Sequence, residues 1–96
     1  MLSDSTARVV GVDVGTKRVG IAVADPLRLF AQVEGTYSPD EAMGVLADLQ
    51  DEHGIATLVV GWPLTEEGAE DEATEMVDAF VDRVRERVGE VPVERR

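Results

Sequence analysis

The segment from Val10 to Asp25 constrains the fold most, because apolar and small residues alternate along it on both sides of one short turn. Residues 8–14 and 19–24 alternate with a period of two, which predicts two strands joined into a β-hairpin by residues 15–18. One acidic residue, Asp13, lies inside the first apolar run. An ionised carboxylate is costly to bury unless it is paired or bound to a metal. We therefore expect Asp13 to serve catalysis or the handling of phosphate.

The rest of the chain carries patterns for two helices and three further strands. Ser38 and Glu41 form a potential capping box around Pro39, which predicts a helix that begins at Pro39 and stops before Gly54. The other predicted elements are, in chain order, a weak strand over 29–37, a strand over 57–60, an acidic loop over 65–71, a helix over 73–88 and a strand from 91 onward. The order β-β-β-α-β-α-β predicts an α/β fold in which parallel strands follow the hairpin and helices pack against the sheet.

Length and composition predict one domain over residues 1–96, with a flexible polar leader over residues 1–7. The absence of cysteine excludes disulfides and thiolate metal sites, and it suits a reducing, cytoplasmic setting. No apolar run approaches the roughly 20 residues that a membrane-spanning helix needs. We therefore expect no contact with a membrane.

The charge balance is unusual for a protein that meets nucleic acid. The chain has 20 acidic and nine basic residues, and a formal net charge of −11. Proteins that bind nucleic acid draw affinity from clustered lysines and arginines, so net charge alone predicts repulsion of a polyanion. Two interpretations stay open, a solvated acidic surface and an acidic face that binds a partner. High salt would screen the repulsion in either case.

Asp13 has the chemistry of a partial metal ligand. Its neighbours on the same face of the predicted hairpin are small, which leaves room for a hydrated metal or a phosphate. Mg²⁺ takes one or two carboxylates and keeps several waters. A pair of metal ions needs more acids than one aspartate, so further ligands would have to come from elsewhere in the fold. The alternative is that Asp13 ends its strand and accepts hydrogen bonds from the backbone of residues 15–16.

Two further segments are candidates for binding phosphate or substrate. Lys17 and Arg18 occupy the hairpin turn, where they would either contact a phosphate or be ordinary exposed residues. Residues 61–64 follow a predicted strand, and open α/β sheets bind ligands beyond the carboxyl ends of their strands. The alternative for this second segment is a simple exit from the strand, with Pro63 preventing further pairing.

These motifs together resemble the YqgF/RuvX family. The resemblance is carried by residues 13–25, by residues 59–64 with Gly68 after them, and by a helix that ends at Gly89. The family comprises pre-16S ribosomal RNA nucleases, also called Holliday junction resolvase-like proteins, with a ribonuclease H-like fold. The resemblance implies a mixed sheet, a catalytic and metal-binding role for Asp13, and Mg²⁺ or Mn²⁺ as cofactor. The implied substrate- and phosphate-binding residues are Gly15, Thr16, Lys17, Arg18, Gly61, Pro63 and Leu64.

The chain also departs from the family pattern. The family carries an Asp-Glu-Arg motif on the strand that here begins at Val91, and a further aspartate near its C-terminal helix; neither is present. We therefore expect a C-terminally truncated member that lacks the last part of the fold and is inactive on its own. Glu94 does not replace the missing acids, because it lies upstream of the motif position. Trp62 stands where the family has a smaller aliphatic residue.

The resemblance implies a metal-dependent nuclease that hydrolyses phosphodiester bonds in structured nucleic acid, either precursor 16S rRNA or branched DNA. A branched substrate would suit a dimer. Two alternatives stay open. The Asp-x-Gly-Thr hairpin also occurs in the phosphate-binding half of actin-like and sugar-kinase ATPases, which need a second lobe. The acidic residues 66–72 would instead suit a non-catalytic interaction domain.

Overall fold

The described residues form one five-stranded sheet and two helices. A computed structural model describes residues 7–15, 17–24, 31–61 and 69–95. In chain order, the elements are β1 (Arg8–Val14), β2 (Val19–Ala24), β3 (Ala31–Tyr37), α1 (Pro39–Glu52), β4 (Ile55–Gly61), α2 (Ala69–Arg87) and β5 (Val93–Arg95). The predicted order β-β-β-α-β-α-β is confirmed.

The sheet is mixed, as the family resemblance implies. Its strand order is β3-β2-β1-β4-β5, with β1 at the centre. The pairs β1–β2 and β2–β3 are antiparallel, whereas β1–β4 and β4–β5 are parallel. The hairpin therefore builds one side of the sheet and the two helical crossovers build the other.

The hydrophobic core lies on one face of this sheet. Val10, Val12 and Val14 of β1 are buried, and the residues between them point to the opposite face. Both helices pack on the valine side, where Leu46 of α1 and Val84 of α2 are completely buried. No described helix covers the opposite face, which we call the open face.

The ends of α1 follow the predicted pattern. The Ser38 hydroxyl oxygen accepts a hydrogen bond from the Glu41 backbone N–H at 3.2 Å, and the Ser38 N–H donates to the Glu41 carboxylate at 2.9 Å. This reciprocal pair is the predicted capping box. Gly54 follows the helix with a φ of 85°, a backbone conformation that favours glycine. The predicted start and stop of the helix are therefore confirmed.

Three predicted boundaries were wrong. Strand β4 is longer than residues 57–60, since backbone pairing with β1 extends it at both ends to Ile55 and Gly61. Helix α2 begins at Ala69, inside the predicted acidic loop. Strand β5 begins at Val93 rather than 91, because Pro92 has no N–H to donate; its carbonyl accepts from the Leu58 N–H at 2.8 Å.

Other predictions fall partly or wholly outside the described residues. These are most of the leader over 1–7, the first two residues of the strand over 29–37, and the early part of the loop over 65–71. Within the described part of the chain, neither helix is long and apolar enough to cross a membrane.

Candidate functional site

Asp13 lies near the carboxyl end of the central strand, on the open face of the sheet. It pairs with Gly20 of β2 on one side and with Gly61 of β4 on the other. Its side chain is exposed, so the expectation of a buried carboxylate was wrong. The apolar strand around Asp13 suggested burial, but strand alternation places its valines under the helices and Asp13 on the other side. Because water can solvate this carboxylate, its charge needs no compensating partner in the protein.

Glycines surround the carboxylate on both sides. Because Gly20 and Gly61 have no side chains, nothing rises from either neighbouring strand next to Asp13. These residues and Gly11 line a shallow, open depression of about 520 Å³, with Thr36 also among its lining residues. The small same-face neighbours expected from the sequence are thus present. The depression leaves space over the sheet for a ligand in contact with Asp13.

The Asp13 carboxylate has no protein partner within the described ranges. No residue there donates a hydrogen bond to it or forms an ion pair with it. The Gly15 N–H, one of the turn donors considered above, donates instead to the Arg18 carbonyl oxygen at 3.0 Å. Thr16, which holds the other turn donor, lies outside the described residues. The alternative of a carboxylate held by Gly15 is therefore wrong.

The hairpin turn depends on Gly15 for its shape. A Cβ atom at this position would lie 2.8 Å from the Arg18 carbonyl oxygen, which is too close for any side chain. The turn exposes Lys17 and Arg18 next to the strand end that carries Asp13. Neither cation forms an ion pair with a residue that the structure describes. The two cations are thus available at the same end of the sheet as the carboxylate.

The second candidate segment is only partly described. Gly61, its first residue, is the last residue of β4 and lies directly beside Asp13. Parallel pairing of β1 and β4 thus brings the two sequence motifs together. Trp62, Pro63 and Leu64 lie outside the described residues.

Sequence reasoning set Glu94 aside, yet the structure places it on the open face. Glu94 pairs with Val59, which pairs in turn with Gly11, so the three residues form one row across the sheet. Asp13 lies in the next row, two strands away from Glu94. Residues 93–95 alternate in the sequence, but the face on which Glu94 lies depends on the register of β5 against β4. Glu94 is not a neighbour of Asp13.

The described residues do not form a complete two-metal centre. Among them, no three acidic, histidine or cysteine side chains lie close enough together to hold a metal ion. Asp13 alone, in an open and solvated position, has the donor chemistry for one hydrated Mg²⁺ or Mn²⁺, which keeps most of its waters. A second ion does not fit the residues that the structure describes.

Several charges on the helical side of the sheet are engaged in ion pairs. The Arg83 guanidinium lies 2.8 Å from the Asp40 carboxylate and joins α2 to the start of α1. Arg95 pairs with Asp78 and joins β5 to α2. Such exposed pairs contribute little to stability. These pairs do, however, engage two of the nine basic residues of the chain, and both pairs lie on the side of the sheet away from Asp13.

Fold and site together define a class of protein. A hairpin, two helical crossovers and a mixed five-stranded sheet with a carboxylate on its central strand make a ribonuclease H-like α/β domain.

The chain belongs to the RuvX family, whose model is described as a Holliday junction resolvase and matches residues 7–95. It is 70% identical over 91 residues to a protein of Salinibacter ruber named "Putative pre-16S rRNA nuclease", a match that covers 95% of this chain and 64% of that protein. Proteins with the same name from Chlorobaculum tepidum and Prosthecochloris aestuarii are 44% and 37% identical. Those matches cover 90% and 98% of this chain, and 61% and 66% of the relatives.

The chain thus spans a little under two thirds of the length of the first of these relatives.

Proposed function

We propose that this chain is the Asp13-bearing part of a metal-dependent nuclease that hydrolyses phosphodiester bonds in structured nucleic acid. The observation that carries the proposal is the Asp13 carboxylate, which is exposed, has no partner among the described residues and is flanked by glycines on the open face. Family membership supports the reaction class. A carboxylate held on a rigid central strand suits a catalytic role, because its position is fixed while its oxygens stay accessible.

Asp13 is proposed to hold one Mg²⁺ or Mn²⁺ through a carboxylate oxygen. When bound, such an ion polarises a phosphoryl oxygen and lowers the pKa of a coordinated water. The role of the chain is to fix the carboxylate and to leave both of its sides open. Because the described residues offer no second carboxylate beside Asp13, we expect the 96-residue chain on its own to give little or no turnover.

The turn residues are proposed to bind phosphates of the substrate. Lys17 and Arg18 are exposed in the turn that follows the strand of Asp13, and they have no ion-pair partner in the described part of the chain. Gly15 shapes the turn that presents them. The remaining substrate-binding residues of the proposal are Thr16, Gly61, Pro63 and Leu64. Local positive charge at this turn would offset part of the repulsion that a net charge of −11 imposes on a polyanion.

Precursor 16S rRNA is the substrate that we favour, because the relatives in three organisms are named for it. Branched DNA is the alternative, since the family is described as a Holliday junction resolvase; a dimer would suit that substrate. The proposed setting is the cytoplasm, where ribosomal RNA is processed. A chain without cysteine forms no disulfides and so suits this reducing compartment.

The proposal is tested with a chimera in which this chain replaces the matching region of the Salinibacter ruber relative. Identity of 70% over the region exchanged makes correct folding the expectation. We expect the chimera to cleave precursor 16S rRNA in the presence of Mg²⁺ or Mn²⁺. Cleavage should stop when EDTA removes the metal. The unmodified chain is the matched control and should be inactive. A four-way DNA junction is tested in parallel, and gel electrophoresis of labelled substrates measures both reactions.

Three results would each contradict a part of this proposal. A folded chimera that cleaves neither nucleic acid would argue against a nuclease, above all if calorimetry showed ATP binding, as the ATPase alternative requires. Cleavage that continues unchanged in EDTA would argue against the metal. Robust cleavage by the 96-residue chain alone would instead show that no further acids are needed.

A further inference from the structure

We infer that Gly11 and Gly20 determine what the site accepts, because their missing side chains let a sugar–phosphate strand lie directly against the sheet beside Asp13. The inference rests on the proposed function and adds two residues to it. Gly11 lies on β1 two residues before Asp13, and Gly20 lies opposite Asp13 on β2. Both line the open depression that contains the carboxylate.

The backbone does not require glycine at either position. A Cβ atom on Gly20 would lie 3.7 Å from the Asp13 Cβ, and one on Gly11 would lie 3.9 Å from the Ala22 carbonyl oxygen. Both are ordinary van der Waals distances, and neither residue has a positive φ. The local structure would therefore accept alanine at both sites.

At two other glycines of the chain, the structure itself requires glycine. A Cβ on Gly15 would collide with a backbone carbonyl at 2.8 Å. Gly35 has a φ of 148°, and its Cβ would lie 3.1 Å from the Tyr37 hydroxyl. Gly11 and Gly20 show neither feature, so packing and backbone geometry leave their identity unexplained.

Glycine in the interior of a strand carries a cost. It loses more conformational freedom on folding than any other residue and offers no side chain to pack. Here two glycines lie in two adjacent strands of the sheet centre, and both are on the face that carries Asp13. Glycine within a strand often marks a place where a ligand or another backbone approaches closely. An approach of this kind accounts for both residues.

The surroundings indicate the chemistry of what approaches. The depression is lined mostly by small and apolar groups, including Ala22 and Val59, against which the carbon face of a sugar can pack. Lys17 and Arg18 lie at the end of the sheet next to Asp13, where they can meet phosphates on either side of the bond that is cut. A sugar–phosphate strand combines both groups in one flat, extended ligand.

The test is a series of side chains of increasing size at Gly20 in the 96-residue chain. We expect Gly20→Ala to weaken binding of a fluorescein-labelled single-stranded RNA modestly, and Gly20→Val to weaken it by about tenfold or more, since overpacking cannot be relieved over a rigid sheet. Fluorescence anisotropy in Mg²⁺ measures the affinity. A DNA probe of the same sequence shows which sugar is accepted.

Gly44→Ala is the matched control, because a Cβ on this residue of α1 would meet nothing within 4 Å. It should leave RNA affinity unchanged. Urea unfolding of each variant separates binding from folding, and we expect neither Gly20 variant to be less stable than the parent chain, because valine and alanine suit a strand interior better than glycine.

The outcomes separate this inference from the proposal beneath it. If the parent chain binds the probes and Gly20→Val binds them equally well, the inference is overturned while the nuclease proposal stands. If affinity falls only in step with folding stability, Gly20 is structural and the inference is again overturned. If neither the parent chain nor the chimera described above binds or cleaves any probe, the proposed function fails and the inference fails with it.

Discussion

Asp13→Asn is expected to lower the cleavage rate of the chimera by about a hundredfold or more, because the loss of a metal-binding carboxylate removes several kcal/mol of transition-state stabilisation. Asparagine has nearly the same shape as aspartate but carries no charge. The Asp13 side chain is exposed, and its carboxylate bonds to no described residue, so the substitution should leave the fold intact. Single-turnover cleavage of labelled precursor 16S rRNA measures the rate, and circular dichroism checks the fold.

Asp82→Asn provides the control for this experiment. Asp82 is also exposed but lies on α2, on the helical side of the sheet, and forms no ion pair with the described residues. Its replacement removes the same charge from the protein and should leave the rate unchanged. Full activity in Asp13→Asn would contradict the proposed mechanism. An equal loss in both variants would show that net charge, rather than a specific ligand, controls the reaction.

Val60→Ala is expected to lower the free energy of unfolding by about 2–3 kcal/mol, whereas Val59→Ala should cost less than about 1 kcal/mol. The two valines are adjacent on β4 and point to opposite faces. Val60 pairs with Val12 and is completely buried beneath the helices. Val59 pairs with Gly11 on the open face and is only partly buried. Truncation of Val60 therefore leaves a cavity, while truncation of Val59 exposes little new surface.

Urea denaturation of both variants, followed by circular dichroism, measures the difference. Because both residues are valines on the same strand, differences in strand propensity cancel in the comparison. Similar losses in the two variants would contradict a core confined to one side of the sheet. They would mean that the open face is covered in solution, which would also restrict access to Asp13.

Much of the fold was predictable because its signals are local. Alternation across residues 8–24 specifies the hairpin, and the capping box at Ser38 with Gly54 fixes both ends of α1. The start of α2 was missed because the same acidic residues suit a loop and a first helical turn equally well. Local patterns of this kind locate an element more reliably than they locate its ends.

The site was less predictable, because it depends on which strands become neighbours. The sequence indicated Asp13 and Gly61 separately, but only the parallel pairing of β1 and β4 places them side by side. The exposure of Asp13 could not be read from its apolar strand, since it follows from both helices packing on the same face. The position of Glu94 depends likewise on the register of β5 against β4.

The most direct test of the central claim is to locate the metal on the isolated chain. Mn²⁺ broadens the NMR signals of nearby amides, so titration of the labelled 96-residue chain maps any ion that it binds. We predict selective broadening at Asp13, Gly20 and Gly61, which adjoin one another in the sheet, and loss of that broadening in Asp13→Asn. Broadening that is unchanged by the substitution, or that centres on the acidic surface of α2, would contradict the account.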